Sequence, residues 1–350
     1  MQRVAGFSAI RSRNVSGAPG LVLVLGYVAF MTVPAQAQPD TICTTAAYPV
    51  PTADSQPRGI TAGPDGALWF TEFRGNNIGR VTVDGLFDEY AVPTPNSEPY
   101  GITTGPDGAL WFTEYLGNKI GRITVGGSIT EYPIPTPGSD SQAITTGPDG
   151  ALWFVEAQGG GNGKIGRVTT SGVLTEYIVP TPYSEPSGIA GGSDGALWFT
   201  EWSASKIGRI TTVGGITEYP LASGSQPLWI TAGPDGALWF TQQAGNEIGR
   251  ITTAGAVTEY PVPTAQSWPW NITAARDRAL WFTEQNANKI AFITTGGAIK
   301  EYALPASLRT PAGITRGPGA TGLWIAALNG NSIGGTPACG PGATAGFTDR

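Results

Sequence analysis

A Leu-Trp pair recurs seven times along the chain, putting tryptophan at Trp69, Trp111, Trp153, Trp198, Trp239, Trp281 and Trp324, with spacings of 42, 42, 45, 41, 42 and 43 residues. A unit of that length cannot bury a core alone, so repetition obliges the copies to stack on one another. In the second copy the unit reads Gly101-Ile-Thr-Thr, Ala109-Leu-Trp-Phe-Thr-Glu, Lys119-Ile-Gly-Arg-Ile-Thr and Ser128-Ile-Thr-Glu-Tyr-Pro-Ile. Between these runs stand Pro106-Asp-Gly, Gly117-Asn and Gly126-Gly, which supply the turn conformations of antiparallel hairpins. The 51 glycines and 29 prolines follow no collagen period and fit this punctuation of many short strands.

Four antiparallel strands per unit, stacked radially, predict an all-β, seven-bladed β-propeller in which each sheet is covered on both faces by its neighbours. The seventh copy runs through Leu323-Trp324-Ile325 and Asn331-Ser-Ile-Gly but stops short of a Glu-Tyr-Pro strand. Ala47-Tyr48-Pro49-Val50-Pro51 matches that missing strand, so the N-terminal strand is expected to complete the last blade. The two cysteines, Cys43 and Cys339, then flank the junction, where a disulfide would lock the closure. The propeller is expected to span residues 38–339, followed by a flexible Gly- and Ala-rich tail over 340–350.

Residues 1–37 read as a signal peptide: Arg3, Arg11 and Arg13 precede an apolar run from Leu21 to Val33 and the small-residue site Ala35-Gln36-Ala37. That run is short of the roughly 20 residues a membrane span needs, so a secreted or periplasmic protein with no membrane span after cleavage is expected. Cleavage removes three of the 20 basic residues and none of the 26 acidic ones, leaving a charge of −9. Nucleic acid is a poor partner for such a surface, because phosphate binding rests on Lys and Arg. A small-molecule, glycan or peptide ligand and a monomeric state are the expectations.

A residue present in every copy keeps the repeat; a residue that breaks the symmetry marks a site. By that test the Leu-Trp tryptophans are inter-blade packing, and Asp65, Asp107, Asp149, Asp194 and Asp235 are turn formers rather than metal ligands. The acids after Phe-Thr or Phe-Val (Glu72, Glu114, Glu156, Glu201, Glu284) and the Gly-Arg arginines (Arg80, Arg122, Arg167, Arg209, Arg250) read as blade-rim pairs. Antiparallel order puts the Gly-Asn turns and the long blade-to-blade loops on one face, where a ligand is expected near the central opening. Trp202, Trp229, Trp268 and Trp270, outside the Leu-Trp series, all map there. Trp229 and Asn271 replace the first-strand glycine of blades five and six, and Gln242 replaces the recurrent Glu, with Gln285 nearby. Arg58, Tyr100 and Gln142 differ from blade to blade at one rim position. Aromatic faces bordered by amides suit a sugar, a peptide ring or a cell-wall fragment. Glu98 and Glu185, each before a proline, are the carboxylates available for acid–base work.

The phrases Gly101-Ile-Thr-Thr-Gly-Pro-Asp-Gly-Ala-Leu-Trp-Phe-Thr-Glu, Asn118-Lys-Ile-Gly-Arg-Ile-Thr and Ile129-Thr-Glu-Tyr-Pro-Ile-Pro-Thr-Pro resemble the repeats of the virginiamycin B lyase, or streptogramin lyase, family over roughly residues 45–335. The resemblance implies a seven-bladed propeller and a carbon–oxygen lyase that linearises cyclic depsipeptides by Mg²⁺-assisted elimination. It also implies two histidines and two glutamates in the last two blades, at positions held here by Trp270, Thr310 and Ala312 around Pro311, and Leu328. The chain contains no histidine. The expectation is therefore an extracellular binding propeller without Mg²⁺ or another cofactor, the alternative being a diverged lyase or hydrolase that uses rim carboxylates.

Overall fold

The computed structural model describes residues 46–158, 161–319 and 322–336. The signal segment, Cys43, Cys339 and the C-terminal tail lie outside the described residues. Among the described residues there are seven four-stranded antiparallel sheets. Blade two shows the plan: an inner strand Pro99–Thr104, then Leu110–Glu114, Lys119–Ile123 and an outer strand Ile129–Pro133. Blades one and three to six repeat that order over 57–91, 141–178, 186–220, 227–261 and 269–303. Blade seven takes its first three strands from 311–336 and its outer strand from Ala46–Pro49, paired antiparallel with Ser332–Thr336. The ring thus closes with the N-terminal strand, and Tyr48 stacks on Trp324 at 6.0 Å as Tyr90 stacks on Trp69 at 5.6 Å.

Seven hydrophobic clusters hold the blades together, each spanning two neighbouring sheets. Between blades two and three, Trp111, Ile120 and Ile134 meet Ile144, Leu152, Phe154 and Val168. Each second strand is buried at all five positions, as the continuous apolar run through Leu-Trp-Phe requires of a sheet covered on both faces. The Leu-Trp tryptophans are therefore inter-blade packing.

The Asp-Gly turns do more than turn. Asp107 Oδ1 accepts the indole N–H of Trp111 at 3.0 Å, and Oδ2 accepts Arg122 Nε at 2.7 Å. Burial pushes the Asp107 carboxyl up, but these two donors outweigh it and hold the group below its ordinary range. This overturns the expectation of Glu–Arg rim pairs. The hairpin register sets Trp111 opposite Arg122 and Glu114 opposite Lys119, so the arginine and the glutamate sit at opposite ends of the hairpin. The arginine pairs with the turn aspartate, while Glu72, Glu114, Glu156, Glu201 and Glu284 are fully buried.

Candidate functional site

The candidate face is built by a bulge that recurs in all seven blades. The inner strand slips register against the second strand after its first residue, between Pro99 and Ile102 in blade two and at the equivalent place elsewhere. A bulge leaves a backbone N–H unpaired and re-aims a side chain. Thr113 meets the first need: its Oγ1 accepts Gly101 N–H at 2.9 Å and donates to the Gln142 carbonyl of the next blade at 2.6 Å. The blades come so close here that a Cβ on Gly101 would lie 2.5 Å from Gln142 O.

Three rings of variable residues follow from this construction. The bulge presents Arg58, Tyr100, Gln142, Ser187, Leu228, Trp270 and Ala312. The residue after each second strand gives Phe73, Tyr115, Ala157, Trp202, Gln243, Gln285 and Leu328. The residue before each inner strand gives Gln56, Glu98, Asp140, Glu185, Gln226, Trp268 and Thr310, every one in the left-handed region, from φ 48° at Asp140 to 60° at Thr310. The carbonyls of this third ring accept N–H groups from the second, as Glu98 O does from Tyr115 at 3.1 Å and Trp268 O from Gln285 at 3.0 Å. A rigid repeat therefore holds the rings in mutual register, and their side chains are free to vary.

Blades two to six combine these rings into one cavity of about 380 Å³. Tyr100, Tyr115, Trp202, Trp268 and Trp270 supply aromatic faces, and Gln142, Gln158 and Gln243 supply amides. Asp140 and Glu185 are the carboxylates in its lining, which contains no Lys or Arg. Ser203 Oγ donates to Glu185 at 2.6 Å. Burial raises the Asp140 carboxyl above its ordinary value, against a hydrogen bond from Tyr115. Trp268 is the most open of the rings, 48% exposed, while Tyr100 is buried.

Of the residues singled out in the sequence, Tyr100, Gln142, Glu185, Trp202, Trp268 and Trp270 come together at this cavity. Arg58 lies beside it, its guanidinium 4.0 Å above the Phe73 ring and 4.6 Å above Tyr100. Trp229 packs between the cores of blades three to six, and Asn271 is buried with its backbone N–H donating to Thr283. Gln242 is buried inside blade five and donates to Glu259 at 3.0 Å. Gln285 and Glu98 hold equivalent ring positions outside the lining. Sequence reasoning missed Tyr115, Asp140 and Gln158; the first two stand at fixed offsets from the recurrent Glu114 and the inner strand at Ser141, where a blade-by-blade register finds them.

A model of the virginiamycin B lyase family matches residues 35–225 and 221–341. The chain belongs to the virginiamycin B lyase family. Among solved structures it is similar to virginiamycin B lyase from Staphylococcus aureus, with 43% identity over 83% of this chain and 98% of that one and a TM-score of 0.79. A streptogramin B lyase structure matches at 41% identity over 83% and 96%, with a TM-score of 0.78. A catalytically inactive histidine-to-alanine variant of the S. aureus virginiamycin B lyase, with quinupristin, matches at 43% identity over 83% and 98%, with a TM-score of 0.79.

Proposed function

We propose that this member of the virginiamycin B lyase family is an exported binding propeller that holds a ring-bearing peptide or sugar in the Trp-lined cavity and does not open it. One observation carries the reading: the cavity is rich in aromatic faces, and neither it nor the rest of the chain supplies a histidine. Removing a carbon-bound proton near neutral pH calls for a base tuned to that range, commonly an imidazole. In the S. aureus relative a single histidine-to-alanine change accompanies loss of catalysis while quinupristin is present in the structure. The positions at which the lyase resemblance implies histidine and glutamate hold Trp270, Thr310, Ala312 and Leu328, which offer no carboxylate and no imidazole.

Mg²⁺ takes an octahedral set of oxygens anchored by carboxylates. Among the described residues no three His, Cys, Asp or Glu side chains converge. Asp140 and Glu185 belong to different blades, so the residues present do not make a carboxylate cage for Mg²⁺. A second reading, a diverged lyase or hydrolase, is favoured by the raised carboxyl of Asp140, which stands in the cavity beside Tyr115.

Incubation with quinupristin and Mg²⁺, followed by chromatography and mass spectrometry, separates the readings. Elimination opens the ring without a change in mass, and hydrolysis adds one water. The expected result is intact quinupristin, together with a saturable change in tryptophan fluorescence. Replacing Trp202 and Trp270 with alanine is expected to weaken that binding about tenfold or more, since aromatic anchors dominate such sites. A ring-opened product, or binding indifferent to both replacements, would overturn the proposal.

A further inference from the structure

The charge of the cavity has a consequence for what can enter it. Two carboxylates and no basic side chain line a space otherwise made of tryptophan and tyrosine faces. An aromatic face is the negative pole of a ring quadrupole, so rings and carboxylates here draw the same sign of ligand. Asp140 is half-buried, and burial together with the nearby Asp140, Tyr100 and Glu98 raises the Tyr115 hydroxyl as well. Burial is the first cause of both shifts, and the Arg58 guanidinium near Tyr115 and the Tyr115 hydrogen bond to Asp140 offset it only in part.

The chain itself shows how this surface treats a cation. Arg58 Nε is buried with no hydrogen-bond partner, yet the guanidinium sits 4.0 Å over Phe73 and 4.6 Å over Tyr100. Those rings continue into the cavity: Phe73 and Tyr100 lie 6.0 Å apart, and Tyr100 and Tyr115 5.8 Å apart, between centroids. Arg58 thus occupies one flank of an aromatic cluster whose Tyr115 hydrogen-bonds Asp140 in the cavity lining. Trp268 adds a half-exposed ring on a residue in the left-handed backbone region, φ 55°.

We infer that the cavity selects an organic cation: a protonated or quaternary amine on a planar or apolar body, with its charge against Asp140 and Glu185 and its body on Trp202, Trp268 and Trp270. This rests on the binding reading above and adds the sign of the ligand's charge to it. A neutral sugar or an acidic peptide would use the same rings but bring no countercharge to the two carboxylates, whose hydrogen bonds from Ser203 and Tyr115 leave their charge uncompensated.

The test uses the full chain and three probes of one size, benzyltrimethylammonium, benzyl alcohol and benzoate, titrated against tryptophan fluorescence, with quinupristin as reference. The cation is expected to bind at least about tenfold more tightly than the alcohol, and benzoate more weakly than either. In the double variant Asp140→Asn with Glu185→Gln that preference should collapse to within about twofold, with the melting temperature unchanged as the check on folding. Equal binding of the three probes, or a preference that survives the double variant, overturns the inference and leaves a neutral-ligand propeller standing. If quinupristin binds and none of the small probes does, the cation selectivity again fails alone; if nothing binds, both readings fall.

Discussion

Five glutamates that looked like surface pairs are among the most buried groups in the protein. Glu72, Glu114, Glu156, Glu201 and Glu284 have no exposed surface, and each faces a second glutamate on its outer strand, Glu131 in the case of Glu114. Burial first, and that second carboxylate next, push Glu114 up to about 8. Blade five carries a neutral donor at the same position. There the residue is Gln242, whose amide donates to Glu259 at 3.0 Å, as a protonated Glu114 would donate to Glu131. The change accompanies Glu247, which stands where blade two has Lys119, 2.6 Å from Glu131. An amide keeps the donor at every pH without having to hold a proton beside Glu247 and Glu259. Glu131, Glu176, Glu218 and Glu301 on the outer strands have the opposite shift: burial raises Glu131, but hydrogen bonds from Lys119 and Thr94 prevail and hold it below its ordinary range. Stability from the buried acids is fully present below about 4.5, their unfolded value, and drains away as pH rises to about 8. Stability from the outer acids is lost as pH falls below the same point. Thermal unfolding followed by circular dichroism should therefore peak near pH 5, and Glu114→Gln should flatten the alkaline limb by up to about 1.4 kcal/mol per pH unit. A variant with the parental pH profile would show Glu114 already ionised. The rim-pair reading failed because it took spacing for contact; once the Gly117-Asn118 turn is placed, antiparallel pairing alone sets Glu114 opposite Lys119 and Arg122 opposite Trp111.

At the level of the blade, the strands and turns were legible because each is written seven times, and errors in one copy are corrected by the others. The bulge was not. In Pro99-Tyr100-Gly101-Ile102 only the glycine hints at a bulge, and the slip falls where the next blade comes close at Gln142. The sequence singled out Tyr100, Gln142 and Trp270 of the cavity lining but not Tyr115 or Asp140, which join it when the turn and the left-handed residue are stacked on the bulge. Out-of-series residues also fall into two kinds that sequence cannot separate: Trp270 lines the cavity, whereas Gln242 compensates for Glu247 inside its own blade. The threonine beneath the bulge is the element's keystone. Blades three and seven carry Val155 and Ala326 at that position, so the fold tolerates losing the hydroxyl. Thr113→Val should leave the Gly101 N–H and the Gln142 carbonyl without their buried partner and cost about 1–3 kcal/mol, read as a lower urea midpoint at unchanged slope. Because Tyr100 and Gln142 ride on the two bulges that Thr113 joins, the same variant should bind ligand more weakly. Unchanged binding would separate the bulge from the site.

For the whole ring, the weak point is the one sheet whose outer strand is not tethered by a turn. Six blades close locally; the seventh depends on four residues, Ala46–Pro49, returning from the far end of the chain. The protein reinforces that junction with Asn331, whose side-chain amide donates to the carbonyls of Val50 and Thr52 and whose carbonyl accepts the N–H and hydroxyl of Ser55. Asn76 makes the equivalent set to Val92, Thr94 and Ser97 inside blade one, so the closure reuses an ordinary repeat contact across 276 residues of chain. A contact that is adequate for a local hairpin must here oppose the entropy of nearly the whole molecule. Cys43 and Cys339 flank this junction in sequence and lie outside the described residues. A Cys43–Cys339 bond at that place would remove the long-loop entropy and stabilise the ring by about 4–5 kcal/mol. Two measurements decide it. Thiol titration of the unfolded protein should find no free cysteine without reductant and two with it, and Cys43→Ser should lower the melting temperature by the same amount as reductant does to the parent. If reductant leaves the melting temperature where it was, the strand and Asn331 hold the ring alone, and the destabilisation should appear instead in Asn331→Ala.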